Sequence, residues 1–359
     1  MFYLVIALAY VLARLSYNYA LGVAASMGFE HPGFLWMVGI GAAAVPVYVL
    51  VHETGHWLAG AAFGWQCTRF GVGPVEFRPM TRSWHFHRIS KIGGMVTHYP
   101  ATFVGFRQQK ALCSLGGPLF SLVGTVIFTS LALLSRTALS FWFCVINAQF
   151  SMIGVLELCP FNRGHIKSDG YQVWEMCRGG SHVDELLRDM LTETSKVMLL
   201  RPGEWPTDLI LRIVDIPADP SVKRYALYLA YIHFLDKGDA PRSGRYLRSL
   251  LEQWTSSDPP EYALEAAYFF AAHERDAAAG RKWLETETRD AEPWVRQRAQ
   301  AAVEWAGARP DRSHAIVEQA LTALRKERVC GDRLFEIVRL EELSQSAVAI
   351  SPEPEAALR

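Results

Sequence analysis

Charge is scarce in the first part of this chain. From Phe34 to Phe63 the only acidic, basic or histidine residues are His52, Glu53 and His56. The 17–33 stretch carries one charged residue, Glu30, and the 135–138 link carries only Arg136. Over all 359 residues, 36 Lys and Arg balance 36 Asp and Glu, so bulk charge predicts no nucleic-acid partner. The six cysteines (67, 113, 144, 159, 177 and 330) show no C-x-x-C spacing, which argues against a disulfide framework or a thiolate metal site. They read as small apolar side chains. No gap between the early apolar runs is long enough to hold an inserted PDZ-like domain.

What is there is hydrocarbon-like sequence. Four runs, about 2–23, 34–63, 112–134 and 139–160, are near the length needed to cross a bilayer. The first lacks a basic flank and is longer than a usual signal core, so it is expected to be a retained helix. The 64–111 connection carries Arg69, Arg78, Arg82, Arg88, Lys91, Arg107 and Lys110 against one acid, Glu76. Arg163, Lys167 and Arg178 follow the fourth run. Basic residues accumulate on the cytosolic side, which predicts a multi-pass protein with both termini cytosolic. The style suits a bacterial inner membrane.

The 64–111 connection is strand-like. Phe70–Phe77 and Trp84–Ile89 are short runs broken by Gly and Pro, and Ile92-Gly93-Gly94-Met95-Val96 follows. A small β-element against the membrane face is expected. From about residue 171 the chain reads as soluble and helical. Ala230-Tyr231, Asp239-Ala240 and Tyr246-Leu247 recur 37 residues later as Ala267-Tyr268, Asp276-Ala277 and Trp283-Leu284. A third helix pair is expected at about 293–307 and 310–326. Such spacing resembles tetratricopeptide helix pairs, and an irregular bundle fits equally well. The predicted fold class is therefore an α-helical membrane protein of about four transmembrane helices with a small membrane-associated β-element, plus a soluble all-α C-terminal domain. The predicted domains are 1–170, 171–350 and a disordered tail at 351–359.

His52-Glu53-Thr54-Gly55-His56 places two imidazoles one helical turn apart on one face, where both can reach one Zn²⁺. Glu53 between them can take a proton from water. Ionisable groups inside a membrane span are costly and default to a functional reading. A third protein ligand is needed, with one position left for water. Asp169-Gly170, after the helix-breaking Pro160, can return a carboxylate. His85, His87, His98 and His165 are further histidines, better read as interfacial or loop residues.

Four elements in order resemble the site-2 protease family of intramembrane zinc metalloproteases. They are His52–His56; Gly71-Val72-Gly73-Pro74 leading to Gly93-Gly94-Met95-Val96; Leu115-Gly116-Gly117-Pro118-Leu119 with Ser121; and Leu158-Cys159-Pro160-Phe161 followed by Ser168-Asp169-Gly170. The resemblance covers about 34–175. It implies His52, His56 and Asp169 as ligands of one zinc per chain and Glu53 as general base. It implies peptide hydrolysis in or beside the membrane, with a membrane-anchored protein as substrate and the lipid bilayer as surroundings. It also implies that Gly93 and Gly94 lie on a β-edge that pairs with the unwound substrate. Glu157 stands where the family has Asn, and Asn147 and Asn162 are the nearby amides. The alternative function is a catalytically weak or inactive scaffold that binds protein partners through its helical C-terminal domain. A transporter fits poorly, because too few polar residues are available to line a path.

Overall fold

The structure is a computed structural model that describes residues 2–87, 93–163, 166–287 and 291–348. His165, Ile92 and the 351–359 tail lie outside the described residues. The chain divides into two compact units, Met1–Val183 and Asp184–Arg359.

A backbone surrounded by hydrocarbon must satisfy its own hydrogen bonds, so long apolar runs become helices. Among the described residues, four helices are long and apolar enough to cross a membrane. They are α1 (Phe2–Ser26), α2 (Phe34–Ala62), α3 (Phe106–Leu133) and α4 (Ala138–Val155). Helix α3 packs on both α2 and α4, while α1 packs on α4. Phe141 and Trp142 of α4 are buried against Ala20 and Ala24 of α1 and Ile40 and Ala44 of α2. The outward faces keep large apolar side chains exposed, among them Leu4, Leu15, Trp36, Val126 and Leu133. Water disfavours such faces and lipid accepts them.

Two boundaries differ from hydropathy. Helix α3 begins at Phe106, about one and a half turns before the apolar run that announces it. Its polar first turn is held by distant partners. Gln109 Oε1 accepts the Trp65 indole N–H at 2.7 Å, and Arg107 donates to the carbonyls of Met176 and Cys177. Helix α4 ends at Val155 in a single 3-10 turn, Leu156–Leu158. Pro160 disfavours helical backbone at the residue before it, and Cys159 is extended, with ψ 121.

The connection between α2 and α3 is a four-stranded antiparallel sheet, β1 (Gln66–Val72), β2 (Val75–Arg78), β3 (Ser83–Phe86) and β4 (Gly94–Tyr99), in the order β3-β2-β1-β4. Gly73-Pro74 makes the two-residue turn between β1 and β2, with Gly73 in the left-handed region at φ 56. Glu76 is buried in the sheet and accepts from Arg69 at 2.6 Å, Arg78 at 2.7 Å and His87 at 3.0 Å. Its hydrogen bond with Arg69 outweighs burial, and the carboxyl is held down to about 2. Strand β4 pairs only with β1, so its outer edge is unpaired among the described residues.

After α4, a two-residue hairpin, β5 (Asn162–Arg163) with β6 (Ile166–Lys167), leads to α5 (Asp169–Arg178). Ser168 caps α5: its hydroxyl accepts from Tyr171 N–H at 3.1 Å and donates to the Cys159 carbonyl at 2.8 Å.

The second unit is helical. α6 (Ser181–Val197) spans the boundary, and α7 (Thr207–Asp215) follows. Three helix pairs come next: α8 (Pro220–Asp236) with α9 (Ala240–Leu251), α10 (Pro260–Glu274) with α11 (Ala277–Thr286), and α12 (Pro293–Ala306) with α13 (Pro310–Leu324). α14 (Gly331–Val348) closes the chain of helices against α13. Pro stands at the first position of the leading helix in each pair, where its missing N–H has no helical partner to lose. Glu265 on α10 sits at the centre of a buried ion network with Arg298 at 2.8 Å and Arg339 at 2.5 Å. Tyr231 donates to the same carboxylate at 2.8 Å.

Candidate metal and catalytic centre

The 3.6-residue period puts His52 and His56 on one face of α2, turned toward α3. Each ring is held there through its Nδ1. His56 Nδ1–H donates to the Cys113 carbonyl at 2.7 Å, and His52 Nδ1 bonds Ser121 Oγ at 2.9 Å. Both Nε2 atoms are thereby left facing each other, 3.2 Å apart.

Helix α2 approaches α3 this closely because both are glycine at the crossing. A Cβ on Gly55 would stand 2.2 Å from the Gly116 carbonyl oxygen, and one on Gly116 would stand 2.4 Å from that of Gly55. Small residues at such crossings let helix backbones touch.

The third group arrives from α5. Asp169 Oδ2 lies 3.2 Å from His52 Nε2 and 3.3 Å from His56 Nε2. Gly170 makes this possible, since a Cβ there would lie 1.9 Å from the Leu158 carbonyl oxygen. The Asp169 carboxyl would be raised by burial, but hydrogen bonds with the two imidazoles outweigh this and hold it at about 2.

These three ligand atoms lie within 4.8 Å of one another. Their separations fit a tetrahedral zinc, whose ligand atoms at ~2.0–2.1 Å from the metal stand about 3.3 Å apart. The outer partners also fit, because metal-binding imidazoles commonly use the second nitrogen on a carbonyl or hydroxyl.

Glu53 is buried, 8 % exposed, and faces β4. A Cβ on Gly94 would fall 2.1 Å from Glu53 Oε1, so the carboxylate packs directly on the strand backbone. Gly93 and Gly94 both line the cavity that contains His52, Glu53, His56 and Asp169. That cavity is about 590 Å³. Farther along β4, His98 packs on Gly60 of α2, whose added Cβ would stand 2.8 Å from His98 Nε2. Burial, aided by the Lys110 charge, holds the His98 imidazole down to about 4.

The structure thus gathers His52, Glu53, His56, Asp169, Gly93 and Gly94 around one cavity. It does not gather the other candidates there, except His98. His85 bonds Ser83 at 3.0 Å and His87 bonds Glu76 at 3.0 Å. Asn147 donates to the Phe143 carbonyl of its own helix at 3.0 Å, and Asn162 sits on β5. Glu157 lines the cavity, as does Lys110. Sequence reasoning counted Lys110 only as a positive charge. Hydropathy leaves it just ahead of the third apolar run, whereas α3 already begins at Phe106.

A family model described as peptidase family M50 matches residues 40–331. No curated protein matches the chain, and no solved structure does. The matched span begins before the His52–His56 motif, runs through Asp169 and takes in most of the sequence, and on that ground the chain belongs to peptidase family M50, the site-2 protease family of membrane metallopeptidases.

Proposed function

We propose that the chain is an intramembrane zinc endopeptidase that cuts a membrane-anchored protein in or next to its transmembrane segment. The observation that carries the reading is the convergence of His52 Nε2, His56 Nε2 and Asp169 Oδ2 within 3.3 Å, with Glu53 on the same cavity. In this reading those three side chains hold one zinc. A zinc so held supplies Lewis acidity toward the scissile carbonyl and toward a water.

The protein's own residues do the rest. Asp169 and the two imidazoles keep fixed positions because Ser168, Ser121 and the Cys113 carbonyl hold them. Glu53 takes a proton from the attacking water while the water oxygen bonds to the carbonyl carbon. The carbon–nitrogen bond then breaks, and Glu53 delivers the proton to the leaving nitrogen. Burial of Glu53 against Gly94 keeps that carboxylate beside the cavity. The unpaired outer edge of β4 offers backbone hydrogen bonds to a substrate segment whose helix has opened.

The accompanying assignments follow the charge pattern and the helix pairs. Residues 1–170 form the catalytic membrane domain, with both termini cytosolic in a bacterial inner membrane. Residues 171–350 form a tetratricopeptide-like module that binds a protein partner.

The test is zinc content and cleavage in detergent-purified protein. Wild type is expected to hold about one zinc per chain, as one three-ligand site requires. Asp169→Ala loses it. Glu53→Gln keeps zinc and loses cleavage of a single-span substrate. Cleavage by Glu53→Gln at the wild-type rate would overturn the assignment.

A further inference from the structure

Among the described residues most polar groups near the centre have partners, and one cation does not. In the first turns of α3, Arg107 is spent on the carbonyls of Met176 and Cys177, and Gln109 on the Trp65 indole. Lys110 follows them, lines the same cavity as Glu53 and Asp169, and makes no hydrogen bond or ion pair among the described residues. Among the described residues two lysines line that cavity, and the other, Lys167, is engaged by Glu175 at 2.8 Å. An ammonium held without a partner at a membrane helix is costly, and such groups mark function.

Glu157 occupies the Asn position, and a carboxylate cannot donate a hydrogen bond unless protonated. Glu157 has no hydrogen-bond partner among the described residues, and it faces the cavity that holds Lys110. Hydrolysis builds negative charge on the scissile carbonyl oxygen, and donors aimed at that oxygen accelerate the step.

We propose that Lys110 is a catalytic residue whose ammonium donates a hydrogen bond to the scissile carbonyl oxygen as that oxygen becomes negative, in place of the amide that Glu157 displaces. The proposal rests on the endopeptidase reading above. Lys110 forms no covalent bond and keeps its proton throughout. The oxygen's charge collapses back to a carbonyl as the carbon–nitrogen bond breaks. The rival donor is Tyr48, one turn before His52 on α2, a residue that also lines the cavity. A charged donor is roughly twice as strong as a neutral one, which favours Lys110.

The test compares two ligands on the zinc-loaded full chain in detergent, in the Glu53→Gln background so that nothing turns over. One is an N-acyl phosphonamidate tripeptide, tetrahedral and anionic at phosphorus. The other is the amide of the same sequence. Lys110→Met is expected to weaken the phosphonamidate about 100-fold and the amide less than about threefold, because the interaction belongs to the transition state. Lys110→Arg, which restores a cation, is expected to recover affinity to within about tenfold. Zinc content stays unchanged in both variants. Equal losses for the two ligands, no loss, loss of zinc in Lys110→Met and Lys110→Arg alike, or a selective loss confined to Tyr48→Phe would each overturn the proposal. Absence of zinc from the parent protein would instead bring down the endopeptidase reading, and this proposal with it.

Discussion

A methyl group on Gly117 would stand 2.3 Å from His56 Nε2 and 2.6 Å from His52 Nε2. Nothing in the helix can yield, because both rings are fixed at their Nδ1 atoms. Gly117→Ala is therefore expected to fill the space between the ligands. It should lose zinc while the protein still folds, with a stability cost of about 1–3 kcal/mol for overpacking. Metal analysis after gel filtration checks this, and a full complement of zinc in Gly117→Ala would contradict the pocket described here. The two histidines and Glu53 were legible in the sequence because their spacing is local: a helix of any context puts positions 52 and 56 on one face. Lys110 was not legible as anything but charge. Its neighbours on α3 bond partners far off in sequence, Gln109 to Trp65 and Arg107 to Met176.

At the scale of elements, Glu76 ties together Arg69 of β1, Arg78 of β2 and His87 just after β3. Its folded carboxyl lies below the usual value of 4.5, at about 2. A depressed carboxyl contributes stability that is present above its unfolded value and is lost as pH falls through the folded one. The gap in unfolding temperature between wild type and Glu76→Gln should therefore be constant above about pH 5 and shrink as pH drops toward 2. A gap that does not vary with pH would show that the ion cluster adds nothing. The sheet itself was readable from its Gly and Pro punctuation, including Gly73-Pro74 at the first turn. The early start of α3 and the β5–β6 hairpin were not, since hydropathy does not register side chains bonded to distant carbonyls. Asp169 reaches the site through element chemistry too: a serine cap, a glycine against the Leu158 carbonyl, and a proline that stops α4.

At the scale of the whole molecule, the second unit encloses a buried charge cluster among its apolar helices. Arg298 is fully buried, and it pairs with both Glu265 and Glu336. Removing one member leaves uncompensated charge inside. Glu265→Ala is expected to destabilise the second unit by about 3–5 kcal/mol. Far-ultraviolet circular dichroism of the full chain should show this as an early helical transition ahead of the membrane helices. A single unshifted transition would mean that the cluster is replaceable. The three helix pairs were foreshadowed by the 37-residue recurrence and by prolines at helix starts, whereas the ion cluster joins positions as far apart as Glu265 and Arg339 and left no local trace.

Helix α3 contributes none of the three proposed metal ligands, yet both imidazoles lean on it, one on a backbone carbonyl and one on Ser121. Such outer partners fix how metal-binding imidazoles are oriented, and changes to them shift metal affinity by about 10–100-fold. Relatives with an identical His-Glu-x-x-His could thus differ widely in how firmly they retain their metal. The setting is inherited in a helix that a motif search never reads, and it can drift there without the motif changing by a single residue.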